Sequence, residues 1–167
     1  MSEVTEKKAN FLGYTKAQWL TLFEQMGEKP YRAQQVLKWI HHRYVDDFAD
    51  MSDISKGLRD RLMEMGEIRE PEVITEEVSI DGTRKWLIRA ESGSAMEMVF
   101  IPEDGRGTLC VSSQVGCALD CSFCSTGKQV FNSDLTASEI IGQVRIARKV
   151  LEKVYPDRQR AVTNVVM

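Results

Sequence analysis

The sequence contains no stretch of eighteen consecutive apolar residues, and its charged opening segment, MSEVTEKKAN, is not followed by an apolar run. No membrane span or signal peptide is readable, so a cytoplasmic protein is expected. An excess of basic residues is also lacking, because 22 lysines and arginines face 25 acidic residues and the net charge is -3. Nucleic-acid-binding domains are usually basic, so any contact with RNA or DNA would need a local patch.

Cysteine is scarce, with four residues in 167. Without a secretory signal these cysteines argue against a disulfide framework and toward metal binding or catalysis, because the cytosol keeps thiols reduced. Apolar residues make up 43% of the chain, which is enough for a folded core. The expectation is a folded protein with chemistry at its cysteines.

The first part of the sequence has a helical period and predicts a small N-terminal domain over residues 1–68. Thr15 and Gln18 have the spacing of a capping box, which predicts a helix over about 16–26. A second helix is predicted in PYRAQQVLKWIHHRY, and a third over roughly 53–65. The three helices together predict a small amphipathic bundle.

The second helix has two different faces on a helical wheel. Its apolar arc consists of Ala33, Val36, Leu37, Ile40 and Tyr44. The opposite face carries Arg32, Lys38, His42 and Trp39, which combine phosphate-binding charge with an aromatic surface for base stacking. This face is a hypothesis for RNA contact, and the alternative is a charged face that is merely solvated.

Beyond the helical part the composition turns to β-forming residues. Asp81 and Gly82 lie between two alternating runs, which predicts a β-hairpin in a connecting segment over 69–104. The stretch GTLCVSSQV predicts a strand that leads into a cysteine-rich loop. Thr136 and Glu139 again have capping-box spacing and predict a helix to about residue 154, before a last strand in AVTNVVM.

Strand, loop, helix and strand form the unit of a parallel α/β sheet, with the cysteine loop at the carboxyl end of its first strand. Active sites of α/β folds lie at that end. One such unit cannot close a barrel, so residues 105–167 are expected to begin a larger catalytic domain. The sequence is therefore expected to be a fragment of a longer protein.

The loop sequence GCALDCSFCSTG holds Cys117, Cys121 and Cys124 in the spacing C-x3-C-x2-C. Structural zinc normally takes four ligands, and the remaining cysteine, Cys110, lies seven residues upstream in a predicted strand. Three thiolates on a four-iron cluster would instead leave one iron open for a substrate. The spacing favours an iron-sulfur cluster, with zinc as the alternative.

Two further residues are notable for their position in predicted strands. In MEMVFI the alternation places Glu97 on a face with Val99 and Ile101, where burial would suit it to proton transfer. A glutamate that reaches solvent is the alternative. Cys110 shares a strand face with Ser112 and Gln114, a polar row that would suit a barrel lumen, and its thiol could exchange with another sulfur or take a proton. Its alternative is a buried cysteine that acts as a small hydrophobe.

The cysteine spacing, with Phe123 before the last cysteine, resembles the radical S-adenosylmethionine superfamily. Members bind the amino acid end of the cofactor at the open iron, and its reductive cleavage yields a 5'-deoxyadenosyl radical. The flanking text IPEDGRGTLCVSSQVGCALDCSFCSTG, LTASEIIGQV and TNVVM is similar to the RlmN family, bacterial methyltransferases that act on adenine C2 of RNA. The upstream GEKPYRAQQVLKWIHH resembles the N-terminal helical domain of that family.

This resemblance implies an α/β fold in which a small N-terminal helical RNA-binding domain and a β-hairpin segment precede the first βαβ unit of an incomplete radical-SAM (β/α) partial barrel. It implies that Cys117, Cys121 and Cys124 bind a 4Fe-4S cluster, that Glu97 accepts a proton and that Cys110 helps to release the methylated RNA. Beyond the cluster ligands it places no cofactor-binding residue in this chain.

The resemblance also implies S-adenosyl-L-methionine as a cofactor, 23S rRNA and tRNA as substrates, an electron donor such as a flavodoxin system, no membrane partner and a monomer. The family pattern continues after TNVVM with a glycine-rich cofactor segment and a later methyl-carrying cysteine, so this chain alone is expected to be inactive. The alternatives are the related family that methylates adenine C8, and an RNA-binding module with a metal knuckle and no catalysis.

Overall fold

The computed structural model describes residues 8–116 and 131–167, which form two compact units that divide after Arg69. The helical unit extends to Arg69, and the sheet unit begins at Glu70. Cys117, Cys121 and Cys124 lie outside the described residues. Among the described residues, no helix has the length and apolar character needed to span a bilayer.

The helical unit contains three α-helices and one small parallel strand pair. The helices are α1 (Lys16–Gln25), α2 (Tyr31–His42) and α3 (Lys56–Met65), and strands β1 (Ala9–Asn10) and β2 (Gly66–Glu67) pair in parallel. The capping box that opens α1 is confirmed, because Thr15 Oγ1 accepts from Gln18 N–H and Gln18 Oε1 accepts from Thr15 N–H at 2.8 Å.

Helix α3 begins three residues later than its pattern predicts. Residues before it form a turn in which the N–H of Ile54 donates to the carbonyl of Met51 at 3.1 Å, so Asp53 is not helical. The core of the unit is aromatic and aliphatic, with Phe11 lying 5.0 Å from Trp19 between ring centroids. Its most deeply buried members include Phe11, Leu12, Trp19, Phe23, Ala33, Val36, Ile40, Phe48, Met51, Leu58 and Leu62.

The sheet unit is a five-stranded mixed sheet in the order β3-β4-β5-β6-β9. Its strands are β3 (Glu72–Val78), β4 (Arg84–Arg89), β5 (Ala95–Glu103), β6 (Arg106–Cys110) and β9 (Asn164–Val166). Neighbours are antiparallel except β6 and β9, which are parallel and are connected through helix α4 (Ala137–Val154). The predicted βαβ unit and α/β fold class are therefore confirmed.

The hairpin between β3 and β4 forms at the predicted position. The N–H of Ser79 donates to Thr83 O at 2.8 Å, and Gly82 has φ +85°, a conformation that glycine adopts without strain. Asp81 Oδ1 accepts from the N–H of Thr83 at 3.0 Å. This hydrogen bond is the main reason that the pKa of Asp81 lies below its usual value, since it stabilises the carboxylate form.

The two faces of the sheet differ in burial. On one face, side chains from β4, β5 and β6 pack against Ile146, Ala147 and Leu151 of α4. The strand residues on this face are Trp86, Ile88, Met96, Met98, Phe100 and Leu109. The opposite face, which we call the open face, carries Glu97, Val99, Ile101 and Cys110, which are exposed or half-buried. Strands from the predicted connecting segment 69–104 and from 105–167 thus share one sheet, while the three-part domain division stays a prediction.

The start of the sheet unit is anchored on α4. Arg145, whose side chain is 2% exposed, donates from Nε to Glu70 Oε1 at 2.6 Å, and Lys149 Nζ lies 3.0 Å from the same carboxylate. Pro71 follows and packs against Gly142, where an added Cβ would lie 2.3 Å from Pro71 Cδ. The absence of a side chain at Gly142 therefore allows the segment to lie directly on the helix.

Candidate active site

The described residues on either side of segment 117–130 are joined to each other. Short strands β7 (Gln114–Val115) and β8 (Ser133–Asp134) pair antiparallel, and the N–H of Asn132 donates to Val115 O at 2.9 Å. Gln114 Nε2 also donates to Asp134 Oδ1 at 2.8 Å. This two-stranded stem lies just beyond Cys110, the last residue of β6, at the carboxyl end of that strand.

Cys110 is an exposed free thiol on the open face of the sheet. It lies opposite Val99 on β5 and opposite Val166 on β9. The alternative of a buried hydrophobic cysteine is therefore wrong, because nothing in the described part of the chain covers this face. The thiol can be reached from solvent, as exchange or proton transfer requires.

Glu97 lies on the same open face, two residues along β5 from Val99. Diagonal neighbours on adjacent strands have Cα atoms about 7–8 Å apart, so Glu97 and Cys110 belong to one neighbourhood. The expected burial of Glu97 is wrong: its side chain is 60% exposed, and Oε1 lies 3.5 Å from Lys85 Nζ. The alternation was correct, but the face on which it places Glu97 is not the one that packs against α4.

Lys85 links two carboxylates on the open face. Its Nζ lies 3.5 Å from Glu77 Oε2 and 3.5 Å from Glu97 Oε1, and these two negative charges, Glu77 first, raise the pKa of Lys85. Exposed pairs of this kind contribute little to folding stability. Their consequence is local, because the ammonium group of Lys85 is held beside the exposed carboxyl group of Glu97.

A pocket of about 190 Å³ adjoins Glu97 and the stem. Its lining residues are Leu87, Ala95, Met96, Glu97, Ser112, Gln114, Val115 and Gly116. Gly116 directly precedes Cys117 in the sequence. The pocket therefore brings together the proposed proton acceptor and the backbone that leads into the cysteine segment.

Sequence reasoning predicted Glu139 only as a helix cap and did not identify Gln143, and both side chains are buried on α4. Glu139, which is 4% exposed, accepts from the N–H of Thr136 at 2.7 Å and from the N–H of Glu91 at 2.6 Å. Gln143 is fully buried and makes two hydrogen bonds of 2.8 Å with the backbone of Ser112. The sequence offered one indication: Gln143 lies three residues after Ile140 and four before Ala147, at a position where the helical period predicts a core residue.

The predicted RNA face on α2 is only partly accessible. Lys38 and His42 are exposed, and they line an open groove with Gln34, Leu37 and His41. Arg32 is half-buried, where it donates to Gln35 Oε1 at 2.9 Å and to Asp53 O at 3.3 Å.

Trp39 requires a correction, because only 8% of it is exposed and it is not a stacking surface for bases. Its Nε1 donates to Asp53 Oδ1 at 2.5 Å, and the guanidinium carbon of Arg43 lies 3.9 Å from its ring centroid. The segment before α3 covers this side of α2, which a helical wheel of α2 alone cannot show.

No group of three or more histidine, cysteine, aspartate or glutamate side chains able to hold a metal occurs within residues 8–116 and 131–167. The three predicted ligands, Cys117, Cys121 and Cys124, lie in the segment outside these ranges. Their role stays a prediction that rests on their spacing and on the stem that flanks them.

The chain is similar to several known proteins. A family model described as the ribosomal RNA large subunit methyltransferase N-terminal domain matches residues 9–68. The dual-specificity RNA methyltransferase RlmN of Pseudomonas putida (strain W619) is 60% identical over 160 residues, and the protein of the same name from Pseudomonas fluorescens (strain SBW25) is 59% identical. The crystal structure of a radical SAM methyltransferase from Sphaerobacter thermophilus superposes with a TM-score of 0.82 at 33% identity.

These matches cover most of this chain but less than half of each relative. The Pseudomonas alignments span 96% of this chain and 42% of the relatives' length. The structural match covers 95% of this chain and 46% of the Sphaerobacter chain.

Proposed function

We propose that this chain, which is 60% identical to an RlmN protein over the part that it spans, forms the cluster-bearing part of an RNA methyltransferase acting on C2 of adenine in 23S rRNA and tRNA. The observation that carries this proposal is the position of the three-cysteine segment. In the sequence it follows β6 and comes directly after Gly116, which lines the pocket that contains Glu97.

The donor set fits a 4Fe-4S cluster better than zinc. Cys117, Cys121 and Cys124 would supply three thiolates, and the fourth iron would be left for S-adenosylmethionine. Cys110, the candidate fourth ligand for zinc, lies on β6 with its thiol on the open face of the sheet. When bound, the cluster and S-adenosylmethionine would supply radical chemistry that begins with a one-electron reduction.

Two residues on the open face would take part in the reaction, Glu97 in proton transfer and Cys110 in release of the methylated RNA. Glu97 is accessible and lies beside Lys85, so it would accept a proton from a substrate that occupies this face. Cys110, on the neighbouring strand, would help to release the methylated RNA by thiol chemistry.

The helical unit would contribute RNA contact. Between Lys29 and Val45 the sequence has four lysines and arginines and no acidic residue, in a chain whose net charge is negative. Lys38 and His42 are exposed on this basic helix, so their side chains would be able to contact the phosphate groups of RNA. Arg32 and Trp39, which bond to residue 53, would stabilise the fold of the helical unit.

The whole reaction would need more than this chain. The chain spans 42% of the length of its Pseudomonas relatives, so we propose that it binds the cluster but does not by itself methylate RNA. An electron donor such as a flavodoxin system would supply the reducing electron. Mass spectrometry of nucleosides made by a complete enzyme carrying this chain would distinguish 2-methyladenine from the C8 product.

Metal content tests the proposal directly. Purified without oxygen and reconstituted with iron and sulfide, the chain should be brown and hold about four iron per molecule, as a four-iron cluster requires. Cys121→Ser should lose this iron, whereas the matched variant Cys110→Ser should keep it. A colourless protein with bound zinc that is lost in Cys110→Ser would refute the proposal and favour a zinc knuckle.

A further inference from the structure

Gln143 of α4 makes an unusual pair of contacts with a single residue. Its side-chain Oε1 accepts from the N–H of Ser112, and its Nε2 donates to the carbonyl oxygen of Ser112, each at 2.8 Å. The last hydrogen bond between this segment and β9 runs from the N–H of Val111 to Val166 O. At Ser112, one residue later, the side-chain amide of Gln143 makes the two backbone hydrogen bonds that a neighbouring strand would make in a sheet.

Ser112 continues this connection to β5. Its Oγ donates to the main-chain carbonyl oxygen of Glu97 at 2.7 Å. The paired register of β5 and β6 ends at Val99 and Cys110, so the serine hydroxyl holds the two segments together beyond the end of the ladder. Ser112 and Glu97 both line the pocket described above.

The same helix also holds the other side of the stem. Glu139, one turn before Gln143, bonds the N–H of Thr136 and the N–H of Glu91, and Gln143 Nε2 lies 3.4 Å from Glu139 O. The N–H of Leu135 donates to Ser113 O at 2.9 Å. The first two turns of α4 thus fix the backbone on both sides of segment 117–130.

We infer that Gln143 is a positioning residue for the proposed active site, acting through Ser112 on Glu97 and on the backbone that leads to Cys117. An apolar side chain of similar size would fill the same space in the core. It would leave the N–H and carbonyl of the half-buried Ser112 without their partner, and the lost hydrogen bonds are costly enough that the segment would move toward other partners or solvent. This inference rests on the proposed function, because the position of the backbone before Cys117 matters for catalysis only if a cluster binds to the cysteines that follow.

The test compares three variants of the chain with the unmodified protein. Gln143→Met removes both bonds to Ser112, and Ser112→Ala keeps them but removes the bond to Glu97. Leu151→Ala is the matched control, since Leu151 is fully buried on the same helix and belongs to the same core. The readouts are amide hydrogen exchange at Ser112, bound iron, and the electron paramagnetic resonance spectrum of the reduced protein with and without S-adenosylmethionine.

We expect Gln143→Met to expose the Ser112 amide to exchange and to weaken iron retention about 10-fold, at the low end of the loss that follows when supporting residues around a metal site are removed. Ser112→Ala should keep its iron but change the spectral response to S-adenosylmethionine. Leu151→Ala should melt earlier with both properties intact.

Three results would count against these ideas, and they can be told apart. Equal iron and an unchanged spectrum in Gln143→Met and Ser112→Ala would overturn the positioning role alone. Equal losses in Gln143→Met and Leu151→Ala would reduce Gln143 to a general stabiliser of the core and also overturn it. If Gln143→Met does not fold, the near-isosteric Gln143→Glu decides the question, because it keeps the acceptor for the Ser112 N–H but loses the donor to the Ser112 carbonyl. An unmodified chain that binds no iron would refute the proposed function itself.

Discussion

Trp39 is held from two sides within the helical unit. Its indole N–H bonds the carboxylate of Asp53, and the guanidinium of Arg43 covers its ring. A cation over an aromatic face and a charge-assisted hydrogen bond each stabilise the fold modestly. The side chain therefore connects α2 to the turn before α3, which is a structural role.

Replacing Trp39 by phenylalanine tests that role. Trp39→Phe keeps a ring beneath Arg43 but loses the hydrogen bond to Asp53, so the free energy of unfolding should fall by about 1–2 kcal/mol. Urea unfolding followed by circular dichroism measures this loss. Without urea, where both proteins are folded, Trp39→Phe should bind RNA as tightly as the unmodified protein. A loss of RNA affinity with unaltered stability would show that the indole contacts RNA after all.

Single residues also show which expectations local patterns can support. Both capping boxes formed, because a serine- or threonine-type cap and its partner three residues later interact within one turn. Glu97 was expected to be buried but is exposed, and Trp39 was expected to offer a surface for base stacking but is buried. Each depends on which distant segment covers a face, and the period of a strand or helix does not contain that information.

Helix α4 depends on a glycine at its contact with Pro71. In an exposed helix, changing glycine to alanine usually stabilises by about 1 kcal/mol. At Gly142 the added methyl would lie 2.3 Å from Pro71 Cδ, and the proline ring cannot rotate away. The steric term should therefore exceed the helix-propensity gain.

A matched pair of glycine variants separates these two effects. Gly142→Ala should lower the free energy of unfolding by about 1–3 kcal/mol, the usual cost of overpacking. Gly57→Ala in α3, where an added Cβ meets nothing within 4 Å, should raise it by up to about 1 kcal/mol. Thermal melts of both proteins provide the comparison, and stabilisation by both substitutions would mean that Pro71 does not constrain α4.

At the scale of elements, the hairpin, the helices and the βαβ connection were readable from periodicity and turn residues. The parallel pairing of β6 and β9 follows from the helix between them. The role of Gln143 was not readable, because its side-chain amide bonds Ser112 at a point where the chain has passed the end of its pairing with β9. Such a contact joins residues 31 positions apart and depends on the assembled sheet.

At the scale of the whole chain, the negative net charge and the basic helix α2 make opposite predictions for RNA. Bulk charge predicts no affinity, whereas a local patch predicts weak binding through a few phosphates. Lys38 is exposed in a helix without acidic residues and is the clearest candidate for such a contact. Local charge should dominate, because salt screens charges farther away than about 10 Å.

Reversing one charge tests the local patch. Lys38→Glu should weaken binding of a short adenine-containing RNA and reduce the slope of log affinity against log salt by about 1, with iron content unaffected. Lys16→Glu, which makes the same charge change at the exposed start of α1, is the control and should have little effect. Equal losses in the two variants would indicate a response to net charge and would contradict a specific RNA face.

The β3 edge of the sheet bears on how copies of the chain behave together. It carries Glu72, Glu76 and Glu77, and charged side chains on an edge discourage pairing with another molecule. The same strand also exposes the apolar side chains of Val73 and Val78. Because salt screens repulsion between exposed charges, self-association through β3 is expected to increase with ionic strength.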